Sequence, residues 1–262
     1  MKTLRIFITL LTLAFLSFHL SSCTLVERLL LGVYYDEHGV QYVKSESGSA
    51  FFLTDATECQ ASSYTVPATF EGKPVIIQTG AFSLNTSIQT LNVEKGVTGN
   101  TKCFTSPSIT TVTLPEGFAL PFSAFYSCTA LTTVHFPSDI TSIPGETFLY
   151  CTALTEMTIP EGVTKLGNTI SSSVGAGIFK GCSSLERITL PKSLMFMASS
   201  TFRDCSSLKE IHFGDTTGWY LESSYTKPTT EAINVENPMI NAQEFTNEGQ
   251  YVIHNLEKRV NP

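Results

Sequence analysis

Seven cysteines and a few histidines are the side chains of this 262-residue chain best suited to chemistry, and their spacing decides which chemistry is open to them. Cys128, Cys151, Cys182 and Cys205 lie 23, 31 and 23 residues apart, each three residues before a leucine. Zinc needs four ligands converging on one point, and one cysteine per two dozen residues, with no Cys-x-x-Cys pair, does not supply them. A disulfide between stacked copies is disfavoured. Cα atoms about 4.4 to 6.8 Å apart are within reach of each other, but parallel Cβ vectors fit the required dihedral poorly. Buried free thiols, packed as small apolar residues, are the preferred reading. An oxidising compartment pulls the other way, and Cys59 with Cys103 is the pair most open to a cross-link. His38, His135, His212 and His254 have no cysteine, serine or carboxylate at motif spacing, and His135 and His212 fall at outward strand positions. The nucleophile-elbow, zinc-protease, phosphate-loop and calcium-loop patterns are missing. No catalytic residue, metal site or cofactor is expected, and the chain does not read as an enzyme.

A repeat positions these cysteines. The segment Cys128-Thr-Ala-Leu131-Thr-Thr-Val134-His-Phe136-Pro137 returns from Cys151 to Pro160, from Cys182 to Pro191 and from Cys205 to Phe213. Two looser copies, Asn85 to Val93 and Ile109 to Pro115, extend the array, and Pro107 is taken to fill the cysteine position in the second. The first apolar position falls at 88, 109, 131, 154, 185 and 208, at intervals of 21, 22, 23, 31 and 23 residues. Phe82, Phe104, Phe125, Phe148, Phe179 and Phe202 fall shortly before the cysteine-like position of each unit. A unit this short cannot enclose a core, but stacked units place Leu on Leu and Phe on Phe. Neighbouring strands then lie about 4.8 Å apart in a parallel sheet. Each unit buries roughly five apolar side chains at about 1.5 to 3 kcal/mol apiece, largely offset by the entropy of ordering it, so several units are needed. Pro115, Pro137, Pro160 and Pro191 cannot donate to the ladder and mark the corner where each strand ends.

The start of the chain has a different composition. Lys2 and Arg5 precede an apolar run from Ile6 to Phe18, too short for a bilayer span of about 20 residues and suited to a secretory signal. Leu20-Ser21-Ser22-Cys23 resembles the lipobox of bacterial lipoproteins, in which Cys23 would carry the lipid; an ordinary signal with a chance cysteine is the alternative. Removing residues 1–22 leaves fourteen basic against twenty-three acidic residues, a net charge of −9. The remaining cations are scattered, which argues against nucleic acid as a partner.

The order Leu-x-x-Ile-x-Leu-Pro followed by Ala-Phe-x-x-Cys, seen at Ala81-Phe82 and at Ala124-Phe125-Tyr-Ser-Cys128, resembles the BspA-like leucine-rich repeats of bacterial surface proteins. The likeness covers about residues 63–213 and reaches the tail through Gly218-Trp219, Ile233-Asn234-Val235, Asn241-Ala242 and Lys258-Arg259. It implies an α/β-type leucine-rich-repeat solenoid with one short parallel strand per repeat of about 23 residues, capped at both ends. It also implies a cell-envelope protein, at the outer membrane or cell surface, that binds protein partners such as a host matrix component or a neighbouring cell. A scaffold role within the envelope is the alternative, and oligomers are open.

The expected organisation is a signal at 1–22, then anchor, tether and N-terminal cap at 23–62, repeats at 63–213 and a C-terminal cap at 214–262. Tyr34 to Leu53 alternates weakly around Gly39 and Gly48, as hairpins do, and Ala61 to Pro67 forms an atypical first repeat. The unit from 155 to 185 carries about eight extra residues through Gly167 to Gly177, a surface loop or a functional one. Outward strand positions carry Thr111, Thr113, Thr133, His135, Glu156, Thr158, Arg187, Thr189, Glu210 and His212. Thr is favoured on any exposed sheet, yet solenoids use such faces for partners, so these ten residues are the candidate partner surface.

Overall fold

A computed structural model describes residues 32–167, 177–198, 200–222, 230–232, 235–247 and 252–255. The signal segment, Cys23 and most of the Gly167–Gly177 insert lie outside the described residues. Three strands open the described chain: β1 (Val33–Tyr35), β2 (Gln41–Lys44) and β3 (Phe51–Asp55), paired antiparallel around glycine turns. The coils follow. Chain order gives β4 (Ser63–Val66), β5 (Thr69–Phe70), β6 (Lys73–Ile77), β7 (Thr90–Val93), β8 (Thr98–Gly99) and β9 (Thr111–Thr113). Next come β10 (Thr133–His135), β11 (Ser142–Ile143), β12 (Glu156–Thr158), β13 (Lys165–Leu166), β14 (Arg187–Leu190), β15 (Phe196–Met197) and β16 (Glu210–Phe213). The tail holds β17 (Trp219–Glu222), β18 (Thr230–Ala232), helix α1 (Pro238–Asn247) and β19 (Val252–Asn255).

Seven of these strands, β4, β7, β9, β10, β12, β14 and β16, line the front of a parallel-strand solenoid. Alternation along each strand turns every second residue inward. Registered pairing therefore stacks Tyr64, Leu91 and Val112 in one inward column, continued by Met157, Ile188 and Ile211 in the second half. Ile88, Ile109, Leu131, Leu154 and Leu185 are fully buried at the expected column, and Leu208, in the last coil, is partly buried. Ala61 to Pro67 joins the array through β4, whose Tyr64 lies opposite Leu91.

Four coils turn their first corner at the expected proline. The carbonyls of Pro115, Pro137, Pro160 and Pro191 accept from the amides of Phe118, Ile140, Val163 and Leu194, three residues on, at 3.2, 3.4, 3.3 and 3.2 Å. A short second strand follows, and β11, β13 and β15 pair in parallel as a back sheet. The coil then rounds the phenylalanine. Phe104, Phe125, Phe148, Phe179 and Phe202 form a stack with neighbouring centroids 5.0, 5.2, 5.1 and 5.7 Å apart.

The α/β expectation holds only as a parallel-strand solenoid: no helix lies within 63–213 among the described residues, and α1 belongs to the tail. The reason is local. Two residues before the phenylalanine, Gly80, Lys102, Ser123, Glu146 and Ser200 have positive φ, and two residues after it Ser127, Tyr150, Gly181 and Asp204 do. A left-handed residue on either side of the ring ends any helical run within one turn.

Both ends differ from the coils between them. At the start, β3 pairs in parallel with β6, and a buried chain of hydroxyls runs from Tyr42 to Tyr64 (2.7 Å) and from Tyr64 to the Asp36 carboxylate (2.6 Å). At the far end, α1 lies against β16. Asn241 donates to the Ile211 carbonyl at 3.1 Å, and the Phe213 ring meets Trp219 and Phe245 at 5.0 and 6.1 Å. No helix among the described residues is long and apolar enough to cross a membrane.

Candidate partner surface and thiol column

The front strands hold two outward columns. One runs Ser63, Thr90, Thr111, Thr133 and, in the second half, Glu156, Arg187, Glu210; the other runs Thr65, Asn92, Thr113, His135 and then Thr158, Thr189, His212. All ten residues expected at the partner surface thus fall in these two columns, and none is buried. Register places them there without further help, because a strand whose inward residues are fixed by the core has no freedom in its outward ones.

The front face changes chemistry along its length. In the N-terminal half the hydroxyls of Thr110 and Thr132 turn back onto the carbonyls of Gln89 and Thr110, at 3.1 and 3.2 Å. In the C-terminal half Arg187 Nε donates to Glu210 Oε2 at 2.7 Å, and His212 Nε2 meets the same oxygen at 2.8 Å. Lys209 pairs with Glu186 at 2.9 Å. The hydrogen bond from Arg187, and then the one from His212, hold the Glu210 carboxyl below the usual range, and Glu210 in turn raises the Arg187 guanidinium. These links escaped the sequence reading. Aligning the repeats would have found them, since Arg187 and Glu210 share one column 23 residues apart.

The front sheet is also parted. The Thr110 carbonyl takes the amides of Thr132 and Thr133, and the Thr155 carbonyl takes those of Glu186 and Arg187, yet among the described residues no backbone hydrogen bond joins β10 to β12. Val134 and Phe136 are only partly buried there, whereas Val112, Leu114, Met157 and Ile159 are buried. Phe136 stands at this junction, in the inward column of Val66, Val93, Leu114, Ile159, Leu190 and Phe213, and its ring is bulkier than Leu114 and Ile159 on either side.

The six cysteines beyond residue 32 are free and buried. Cys128, Cys151, Cys182 and Cys205 form the expected column, and each thiol donates to the carbonyl of the phenylalanine one coil earlier. The acceptors are Phe104, Phe125, Phe148 and Phe179, at 2.9, 3.2, 3.1 and 3.0 Å. Burial pushes Cys128 and Cys205 up to about 12, and Cys151 and Cys182 well above the usual thiol range, so none is a thiolate near neutral pH. Cys59 and Cys103 are not joined. The residue in the cysteine position of the Cys103 repeat is Ser106 and not Pro107. Buried Ser106 Oγ accepts from the amides of Ser108 and Ile109, as Asn85 Oδ1 does from Ser87 and Ile88 one coil before. Asn85 adds two donations, to the carbonyls of Ala56 and Cys59 at 2.6 and 2.8 Å. Among the described residues no three histidines, cysteines or carboxylates are grouped to hold a metal.

Fold and face together define a leucine-rich-repeat protein. The chain belongs to the family of the BspA type leucine rich repeat region, whose profile matches in six copies over residues 57–173 and 168–256. No curated protein matches it. Among solved structures, a leucine-rich repeat protein from Eubacterium ventriosum is similar at 18% identity and a TM-score of 0.51, over 71% of this chain and 51% of that one. A leucine rich cell surface protein from Faecalibacterium prausnitzii is 24% identical over 71% of this chain and 40% of its own, with a TM-score of 0.42. The T. pallidum leucine rich repeat protein is 21% identical, over 66% and 67%, with a TM-score of 0.40. The chain thus spans about half or less of the length of two of these three.

Proposed function

We propose that this protein is a non-catalytic binding module held at the cell envelope by a lipid on Cys23, presenting its front sheet to a protein partner. The observation that carries the reading is the pair of outward columns, which offers seven strands of ordered polar side chains. An extended polar sheet suits a broad protein surface better than a small substrate. In this reading β1 to β3 and the tail cap the two ends of the core, since an open solenoid exposes both apolar surface and strand edge. Binding of the purified protein to matrix or cell-surface proteins, weakened by Arg187→Ala with His212→Ala, is the expected outcome. A protein that binds none of them above background overturns it.

One observation favours a second reading, as an assembly scaffold. The carbonyls of Ser62 and Val66 face β7, accepting from Thr90 and Glu94, so Ser63 and Thr65 turn their backbone groups to the unpaired side of β4. A second copy could add a strand there. Thr65→Pro removes a donor on that side only. It disperses an assembly built on this edge and leaves a monomeric binding module unchanged, as light scattering would read.

A further inference from the structure

Five large apolar side chains are exposed among the described residues, and three of them, Leu84, Phe122 and Tyr150, lie on one edge of the solenoid where the coils round the phenylalanine stack. They are 72%, 40% and 41% exposed, although side chains one or two residues away are completely buried. Tyr126 extends the group, with its ring 6.1 Å from Tyr150 and Lys102 Nζ 4.1 Å above its face. The Tyr150 ring packs against Gly181, where a Cβ would fall 2.4 Å from the nearest ring carbon. The charged groups of this edge are also unlike the chain as a whole. Lys102, Lys180 and Arg203 stand beside only Glu146 and Asp204 in these turns, on a protein of net charge −9 once residues 1–22 are removed; Arg203 lies 3.9 Å from Asp204, and Glu146 already accepts from Ser123 at 2.9 Å.

Exposed leucine and phenylalanine, tyrosines with polar tips and long cations that can snorkel are the composition of a membrane-water boundary. We propose that this edge, Leu84, Lys102, Phe122, Tyr126 and Tyr150, rests on the lipid surface, leaving the front sheet free for its partner. The occupant follows from the tether. With Cys23 anchored, which is the reading proposed above, the nine residues Thr24 to Gly32 reach at most about 30 Å. A surface kept that close meets the bilayer at high effective concentration, so a weak apolar contact suffices. Because the local charge is small, the contact should depend on apolar burial and persist at high salt and on uncharged lipid.

The test uses the full chain reconstituted in phosphatidylcholine vesicles, carrying an environment-sensitive dye on Leu84→Cys or, as the comparison, on Thr113→Cys of the front sheet. The native thiols are buried and do not compete. The expected result is a blue shift and loss of emission to a lipid-borne quencher at position 84 and neither at 113, with the position-84 effect abolished by Phe122→Ser with Tyr150→Ser. Equal, water-like emission at both positions overturns the proposal. So does dimming at 84 that appears without vesicles as protein concentration rises, which would mean that a second copy covers the edge. Cys23→Ala tests the anchor separately, through the fraction of protein retained on vesicles, while the contrast between positions 84 and 113 is read on whatever remains bound.

Discussion

The front sheet and the phenylalanine edge are built from the same coils, yet one is interrupted and the other is not. Between β10 and β12 the front loses its backbone ladder. Across the same junction Phe148 stacks on Phe179 at 5.1 Å, the Phe148 amide reaches the Ile178 carbonyl at 2.9 Å, and β11 still pairs with β13. Coil spacing is therefore kept by the ring stack and the thiol column beside it, and the front sheet follows where the inward side chains allow. That makes the proposed partner face the adaptable side of the molecule and the phenylalanine edge its spine.

Cutting the spine should have the largest effect. Phe148→Ala removes a fully buried ring from the middle of the stack and should cost about 3 to 5 kcal/mol, read as a lowered urea midpoint. Phe136→Ala, at the parted junction, should cost clearly less; equal losses would refute the ranking of the two sides. Alkali should come next. A thiol near 8.5 in the unfolded chain but raised to about 12 in the folded one favours the folded state fully below pH 8.5, and that contribution drains away as pH climbs toward 12. The midpoint should hold steady to about pH 8.5 and fall beyond it, and Cys128→Ala should blunt the fall. Phe136→Leu should work in the opposite sense and close the sheet, with slower amide exchange at Glu156 and Thr158 and no loss of stability. Smallest of all, Arg187→Ala should leave the midpoint unmoved, because its pair with Glu210 is exposed, while still weakening partner binding.

The repeat spelled out much of this architecture. Leucines and phenylalanines at a steady interval can satisfy one another only by stacking, so columns, corners and outward faces followed from spacing alone. The absence of helix did not. Lys102, Ser123 and Glu146 adopt positive φ although nothing in their residue type demands it; the tertiary demand of rounding the ring stack decides their backbone. The split at Phe136 was equally hidden, since a phenylalanine satisfies the repeat pattern as well as a leucine and differs only in volume. Ser106 holds the cysteine position three residues before Ile109, and its hydroxyl, unlike a thiol, gives no sign of a repeat in the sequence. Helix α1 had its signal in plain view: Asn237 Oδ1 accepts from the Met239 amide at 3.1 Å, a cap just before Pro238.

The sulfur column also sets a timetable. Cys128, Cys151, Cys182 and Cys205 are each tied to the coil before and sealed within a finished stack, so an oxidant can reach them only while their neighbours are still unwound. A chain that coils quickly would keep its sulfurs reduced in surroundings that oxidise them, and one that stalls would be caught with mismatched bridges. Wherever the compartment is oxidising, the speed of winding would thus weigh on the fate of the thiols.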